Sequence, residues 1–185
     1  AVDRQWVPDG GDVEVVVVDD GSTDDTWRWL QGLRRPGVRV FRQANSGPAR
    51  ARNVGVDRAS GEMILFLGDD TEPAPDWLVH HLEVRRLQTL ERPVAVVGYT
   101  SFPPALDSSF SRFINEFGPQ FGYLLIERAG AIPFNFLYTS NMSILRHELV
   151  GRGGFREDFP AAAWEDIEFA YRAVEEGLRV VYQPR

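Results

Sequence analysis

Cysteine is absent from the 185-residue chain, which excludes a disulfide framework and a metal site built on thiolates. No apolar run approaches the roughly 20 residues that a membrane-spanning helix needs, and the N-terminus lacks the basic and then apolar layout of a signal peptide. Basic residues are not in excess, because 20 Lys and Arg stand against 27 Asp and Glu, for a net charge of −7. This balance disfavours a general nucleic-acid binder, which holds phosphates on a basic face. We therefore expect a soluble, cytoplasmic domain that does not bind nucleic acid.

The composition that remains is that of an ordinary globular protein, with 43% apolar and 25% charged residues. A chain of this length fits a single domain, residues 1–185, and can bury a sizeable core without a disulfide or a metal. Residues 1–12 show little periodicity, and within them a helix is expected only around Val2 to Trp6.

A buried strand that ends in carboxylates is the most informative stretch. The β-branched run Val13 to Val18 suits a strand of a parallel sheet that is covered on both faces. Asp19 and Asp20 follow it, at the end where open α/β sheets bind ligands. Ser22, with Asp25 three residues later, predicts a capping box that starts a helix. The alternative is a strand end whose acids are simply solvated.

The same construction returns at residues 62–70. A second apolar strand, Glu62 to Leu67, ends in Gly68, Asp69 and Asp70. If the two strands are parallel neighbours, their acids converge at one edge of the sheet. Carboxylate oxygens there can hold Mg²⁺ or Mn²⁺ against a diphosphate. The alternative is an ordinary Gly-Asp-Asp turn.

Two further stretches carry charge at a predicted helix start. Pro48 suits a helix first turn, and Arg50 and Arg52 follow it, which suggests a place for phosphate; solvated surface charges are the alternative. Glu165 and Asp166 open a late amphipathic helix. The helix dipole favours acids at that position, so helix stability alone could explain this pair.

Aromatic residues are dense between residues 101 and 138, and Phe110, Phe113 and Phe117 have helical spacing. Core packing is the favoured interpretation, since aromatics dominate core burial. The rival is an apolar acceptor platform or a membrane-facing patch. His80 and His81 are adjacent on a predicted helix, so they point about 100° apart and are interpreted as structural or exposed rather than as ligands of one metal.

Several of these stretches resemble, in order, the signature elements of family 2 glycosyltransferases. They are Val17 to Thr26, similar to VVDDGSTDDT; Gly47 to Gly55, similar to G-x-A-x-A-R-N-x-G; residues 68–70, similar to D-x-D; residues 153–155, similar to a GGF turn; and Trp164 to Arg172, similar to W-E-D-x-E-x-x-x-R. The resemblance covers about residues 13–184. It implies an α/β fold of GT-A type, with a mostly parallel sheet flanked by helices. Residues 13–100 would form the nucleotide-binding half and 101–185 the acceptor and catalytic half. The strand that family members place before the first acidic stretch is not recognisable here.

The resemblance also implies roles for individual residues in an inverting transfer of a sugar from a nucleotide-sugar donor, with UDP as the first expectation. Asp166 would be the general base, and Glu165 would orient the acceptor or support the preceding loop. Asp70 would bind a divalent cation, Mg²⁺ or Mn²⁺, although the first acid of D-x-D is Gly68 here. Donor binding is implied for Asp19, Asp20, Ser22, Arg52 and Asp69.

The implied acceptor is a glycan, a lipid or a small molecule, and peripheral association with the inner face of a membrane would fit. One alternative is a catalytically degenerate domain that still binds nucleotide-sugars, with Gly68 and the unrecognised first strand as the damage. A sugar nucleotidyltransferase is disfavoured, because the glycine-rich basic loop that would hold a triphosphate is not seen early in the chain.

Overall fold

The computed structural model describes residues 11–87, 92–118, 120–126, 130–159 and 163–184, together with Val2, Gln5 and Val7. The predicted helix around Val2 to Trp6 lies largely outside these residues. The described chain contains seven strands and six α-helices. They are β1 Val15–Asp19, α1 Thr26–Gly32, β2 Val38–Arg42, α2 Pro48–Arg58, β3 Met63–Leu67, α3 Trp77–Leu87, β4 Val94–Gly98, α4 Ser109–Glu116, β5 Gly130–Ile132, β6 Asn141–Leu145, α5 Arg146–Gly151, α6 Glu165–Glu175 and β7 Arg179–Gln183.

The strands form two sheets, and the larger one is mixed. β1 and β2 make a parallel pair, while β3, β6, β4, β7 and β5 follow one another across a five-stranded sheet. In that sheet β4 and β7 are parallel, and β6 runs antiparallel to both β3 and β4. The α/β class is confirmed, but the mostly parallel pairing is corrected to a mixed one. The expectation that β1 and β3 are hydrogen-bonded parallel neighbours is also wrong, because they belong to different sheets.

The core lies around the middle strand of the larger sheet. Every residue of β4 is buried, as its run of small and β-branched side chains suits a strand covered on both faces. Phe155 and Phe169 are buried beside it with ring centroids 5.3 Å apart, and Phe66 meets Phe155 edge to face at 5.4 Å. Burying each such ring contributes about 1.5–3 kcal/mol relative to exposure. This packing holds β3, α6 and the loop between α5 and α6 in fixed positions.

His81 takes part in a buried polar network. Its Nε2 lies 2.9 Å from Asn141 Oδ1, and its Nδ1 lies 2.8 Å from Ser143 Oγ. Asn141 Oδ1 also accepts a hydrogen bond from Trp77 Nε1 at 2.7 Å. Since Asn141 Oδ1 can only accept, His81 donates from Nε2 and accepts at Nδ1. Burial lowers the pKa of His81 to about 4, so the ring is neutral near pH 7. The structural interpretation of this histidine agrees with these contacts.

The aromatic segment divides between core and surface. Tyr123 and Phe136 are buried, in agreement with core packing. Phe110, Phe113 and Phe117, in contrast, are each exposed over more than half of their surface. The core interpretation was wrong for these three rings, because α4 turns that side toward solvent. None of the helices within the described part of the chain is long and apolar enough to cross a membrane.

Candidate active site

The first acidic turn holds the following loop in place. Asp20 Oδ1 accepts hydrogen bonds from Gln43 Nε2 at 2.7 Å and from the Ser46 amide at 2.9 Å. Its Oδ2 accepts from the Gly47 amide at 2.8 Å, directly before α2. Asp20 therefore fixes the approach to α2, a function that the sequence motif by itself did not reveal.

Asp19 closes the turn from the other side. It is only 4% exposed, its Oδ1 accepts from the Ser22 amide at 3.2 Å, and its Oδ2 lies 3.0 Å from Arg42 Nε in an ion pair. Gly21 allows this turn, since its φ is +80° and a Cβ there would lie 2.7 Å from the Asn45 nitrogen.

The predicted capping box at Ser22 is wrong. α1 begins at Thr26 with Asp25 as its N-cap, and Asp25 makes no side-chain cap hydrogen bond. The Thr26 amide donates instead to Asp24 Oδ1 at 3.0 Å. The physical reason is that the Asp19 carboxylate captures the Ser22 amide, so residues 22–25 extend the turn rather than open the helix.

Asp69 and Asp70 follow β3 and are both exposed. The Thr71 amide donates to the Gly68 carbonyl at 3.0 Å, which closes a tight turn. A Cβ on Gly68 would lie 2.8 Å from Asp70 Oδ1, so the glycine leaves room for that carboxylate. Among the described residues no three His, Cys, Asp or Glu side chains come close enough to enclose a metal. Two exposed carboxylates still fit Mg²⁺ or Mn²⁺, which proteins commonly hold with one or two carboxylates, water and substrate phosphates.

Arg52 joins α2 to the start of α6. Its guanidinium forms a hydrogen-bonded ion pair with Glu165, which is only 6% exposed, and it also lies over the Phe155 ring. Arg50, two residues earlier, pairs with Glu157 at 2.9 Å in a more exposed position. The structure therefore directs Arg52 to the acidic helix start and Arg50 to the surface. A direct role of Arg52 at the phosphates stays a prediction.

Asp166 lies beside this ion pair and is half-buried. Its Oδ1 accepts from the Ile167 amide at 2.8 Å, while its Oδ2 accepts only a long hydrogen bond, 3.4 Å, from the Thr139 amide. Burial raises the pKa of Asp166, and the neighbouring Glu165 carboxylate raises it further. The two amides and Arg52 act in the opposite direction. The result is a carboxylate with raised proton affinity and one oxygen that is only weakly engaged, as a general base requires.

Two motif residues to which the sequence analysis assigned no role in the site hold the glycine turn. Asn53 donates to the Phe155 carbonyl at 2.8 Å and accepts from the Phe155 amide at 3.0 Å. Arg172 donates to the Gly154 carbonyl at 2.8 Å and pairs with Glu168, four residues earlier on α6, at 2.6 Å. Asn53 immediately follows Arg52. The α2 motif therefore fixes the glycine turn through the hydrogen bonds of Asn53 and the start of α6 through the ion pair of Arg52.

These contacts relate the α2 motif, the glycine turn and the acidic helix start to one another, although they are far apart in sequence. A model of the family described as "Glycosyl transferase family 2" matches residues 1–141, more than half of the chain. The chain belongs to glycosyltransferase family 2. The predicted family resemblance is thereby confirmed.

Named relatives and solved structures agree with this family assignment. A relative from Campylobacter jejuni, GalNAc(5)-diNAcBac-PP-undecaprenol beta-1,3-glucosyltransferase, is 43% identical over 65 residues, which cover 33% of this chain and 21% of the relative. Staphylococcus aureus TarS 1–349 superposes with a TM-score of 0.67 at 20% identity, covering 99% of this chain and 54% of that one. The mannosyltransferase PcManGT from Pyrobaculum calidifontis, solved with GDP-Man and Mn²⁺, gives a TM-score of 0.65 at 24% identity, covering 99% and 48%. These neighbours show a GT-A fold, and the family 2 chain described here spans about half of their length or less.

Proposed function

We propose that this domain transfers a sugar from a nucleotide-sugar donor to an acceptor hydroxyl, with inversion at the anomeric carbon. The observation that carries the proposal is Asp166, a half-buried carboxylate of raised pKa at the start of α6. It lies next to Glu165, whose charge is balanced by Arg52. Such a perturbed carboxylate is a functional-site candidate on physical grounds.

The chemistry needs one proton transfer and one displacement. Asp166 takes the proton of the acceptor hydroxyl while that oxygen bonds to the anomeric carbon. The bond from that carbon to the diphosphate oxygen breaks, and its electron pair leaves with the nucleoside diphosphate. Attack from the face opposite the leaving group inverts the configuration. Because the pKa of Asp166 is raised, its carboxylate is a stronger base than an ordinary aspartate.

We assign donor binding to the two acidic turns. Asp70, with Asp69 beside it, would hold the divalent cation, which when bound neutralises charge on the departing diphosphate. Mn²⁺ in the Pyrobaculum structure supports this part of the proposal. Of the two acids at the end of β1, Asp20 is the better candidate for the uracil N3–H, because it is only half-buried and its Oδ2 accepts a single hydrogen bond, whereas Asp19 is buried in its ion pair with Arg42. Ser22 lies in the same turn and would line the same site.

We expect UDP binding to require both the cation and Asp70. Asp70→Ala should weaken UDP binding in the presence of Mg²⁺ by about 10- to 100-fold, because diphosphate and carboxylates repel without a cation between them. Isothermal titration with and without Mg²⁺ measures this. Glu72→Ala is the matched control, since it removes a nearby exposed carboxylate outside the turn. Equal affinities in all arms would remove the metal role.

Release of UDP from UDP-sugars distinguishes an active enzyme from the degenerate alternative. A protein that binds UDP with Mg²⁺ but releases none from UDP-glucose, UDP-galactose or UDP-N-acetylglucosamine would support the binding domain. Measurable release that Asp166→Asn abolishes would support the transferase. The same assay with GDP-mannose tests the choice of uracil.

Peripheral membrane association forms part of the proposal, placed at the inner face of a membrane. The exposed apolar side of α4 and the adjoining turn supports it, because large exposed apolar patches mark interaction sites. The exposed apolar side chains of this surface belong to Leu106, Phe110, Phe113, Phe117, Leu124 and Leu125. A relative whose name includes undecaprenol, a lipid carrier, agrees with a membrane setting.

Vesicle flotation tests this association. We expect binding to phosphatidylcholine vesicles with little salt dependence, because apolar side chains would make the contact and the exposed charges of Arg112 and Asp107 form an ion pair. Phe113→Ser/Phe117→Ser should weaken the binding at least about 10-fold through lost apolar insertion. Trp29→Ser, which alters an exposed aromatic on α1, should leave it unchanged. Absence of wild-type binding would refute the association.

A further inference from the structure

Trp164 combines two unfavourable features in one residue. Its φ is +74°, and it is the one non-glycine residue with positive φ within the described ranges. Its side chain is also 69% exposed. A left-handed backbone costs an L-residue about 1–2 kcal/mol, and strain of this kind concentrates at functional sites. An exposed indole gains nothing from burial to offset that cost.

The helix accounts for the Trp164 carbonyl but for neither the positive φ nor the indole, because an N-cap residue normally has β-region φ and ψ. The Trp164 carbonyl accepts the first hydrogen bond of α6, from the Glu168 amide at 2.9 Å. As the N-cap residue, Trp164 makes no side-chain cap hydrogen bond. Glycine would adopt the same φ without strain, and serine or aspartate would cap the helix better. Helix capping therefore gives the indole no role.

Trp164 lies close in sequence to Asp166, the proposed general base. Trp164 is two residues before Asp166, and its carbonyl is fixed by the same helix turn that holds Glu165 and Asp166. A molecule that presents a hydroxyl to Asp166 approaches the same end of α6 at which the indole is attached.

We propose that Trp164 is a stacking platform for a pyranose ring of the acceptor, and hence that the acceptor presents a sugar at its reacting end. This inference rests on the proposed function, since it assigns the substrate class of the same site. The C–H face of a pyranose is apolar and its hydroxyls lie at the rim. The ring can therefore cover the electron-rich face of an indole and direct one rim hydroxyl toward Asp166. A broad, exposed, rigidly anchored aromatic suits this better than a flexible aliphatic chain does.

Direct binding tests the inference without requiring turnover. The indole N–H signals of the protein, with that of Trp164 assigned from Trp164→Phe, are followed by NMR. The added probes are the methyl β-pyranosides of glucose, galactose, mannose and N-acetylglucosamine. We expect saturable movement of the Trp164 signal with at least one of them, and none for Trp29, an indole of similar exposure at 66%. Sorbitol, which has comparable hydroxyls but no ring face, should cause no movement. No response to any pyranoside would overturn the proposal.

Kinetics provide the second readout, with the pyranoside that binds used as acceptor and UDP-glucose as donor. Trp164→Ala should raise the acceptor KM about 10-fold while UDP affinity stays unchanged. Trp164→Phe should lie between it and the wild type, and Trp29→Ala should match the wild type. Trp164→Gly, which relieves the positive φ and should raise the melting temperature, must show the same KM defect. An equal loss of UDP affinity would assign the indole to the nucleotide base instead, which refutes the inference.

The two hypotheses fail in different ways. If the protein binds no UDP and releases none from any donor, the proposed function fails, whereas the NMR titration still reports on stacking. If donor turnover is normal but no Trp164 variant changes the acceptor KM, the platform fails and the transferase stands.

Discussion

Asp166→Asn should lower sugar transfer by about 10²- to 10⁴-fold and leave UDP affinity nearly unchanged. Asparagine keeps the shape of the side chain but cannot take the acceptor proton. Donor binding is expected to persist, because the residues proposed for it lie after β1 and β3. The measurements are turnover and calorimetric UDP affinity for the wild type and the variant.

The pH dependence provides an independent check. Transfer requires ionised Asp166, so the rate should rise with pH through the pKa of this group and be lost below it. Burial raises that pKa above the 3.8 of an ordinary aspartate, and the acid limb of the kcat/KM profile should lie correspondingly higher. Asp166→Asn should abolish this limb in whatever activity remains.

Glu165→Gln is the matched control for the assignment of the base. Consecutive residues in a helix first turn point about 100° apart, so only one of the two acids can face an acceptor hydroxyl. In the structure Glu165 is held by Arg52, whereas Asp166 Oδ2 accepts only the long hydrogen bond from Thr139. A larger loss in Glu165→Gln, or near-normal turnover by Asp166→Asn, would reverse the assignment.

Local patterns predicted the elements that depend on local physics. Strand β3 ends at Leu67 as expected, Pro48 begins α2, and Glu165 begins α6. In each case the controlling interaction spans a few residues, so the sequence displays it directly. The location of the candidate base at the start of α6 was accessible for the same reason.

Contacts between residues far apart in the chain could not be predicted from local sequence patterns. Arg52 and Glu165 are separated by 113 positions, and nothing within either motif indicates that they meet. Strand order posed the same problem, because an apolar strand reveals that it is buried but not which strand it adjoins. Asp19 accepts from the Ser22 amide, which the predicted capping box assigned to Asp25, and the helix starts at Thr26 instead. The outward side of α4 was missed because aromatic content alone does not distinguish a core from an exposed face.

Loss of the Arg52–Glu165 ion pair is expected to lower the stability of the fold substantially. Arg52→Met should destabilise the fold by about 3 kcal/mol, because it leaves the carboxylate of Glu165 buried without its cation. This value is at the lower end for buried pairs, since the Arg52 side chain is itself 27% exposed. Thermal unfolding should report a loss of roughly 6–12 °C. Arg50→Met, which breaks a more exposed pair on the same helix, should cost less than about 1 kcal/mol.

A double substitution tests whether the lost stability comes from the unpaired charge of Glu165 or from the loss of the Arg52 side chain itself. Arg52→Met/Glu165→Gln should recover most of the lost stability, because no unpaired charge remains buried. In Arg52→Met alone the pKa of Asp166 should rise further, since Arg52 lowers it in the wild type, and the acid limb of the rate profile should move to higher pH. If Arg52→Met instead unfolds like Arg50→Met but loses UDP affinity, Arg52 acts on the diphosphate and the ion pair is incidental. Destabilisation with intact UDP affinity would establish that this arginine stabilises the helix start that carries the base.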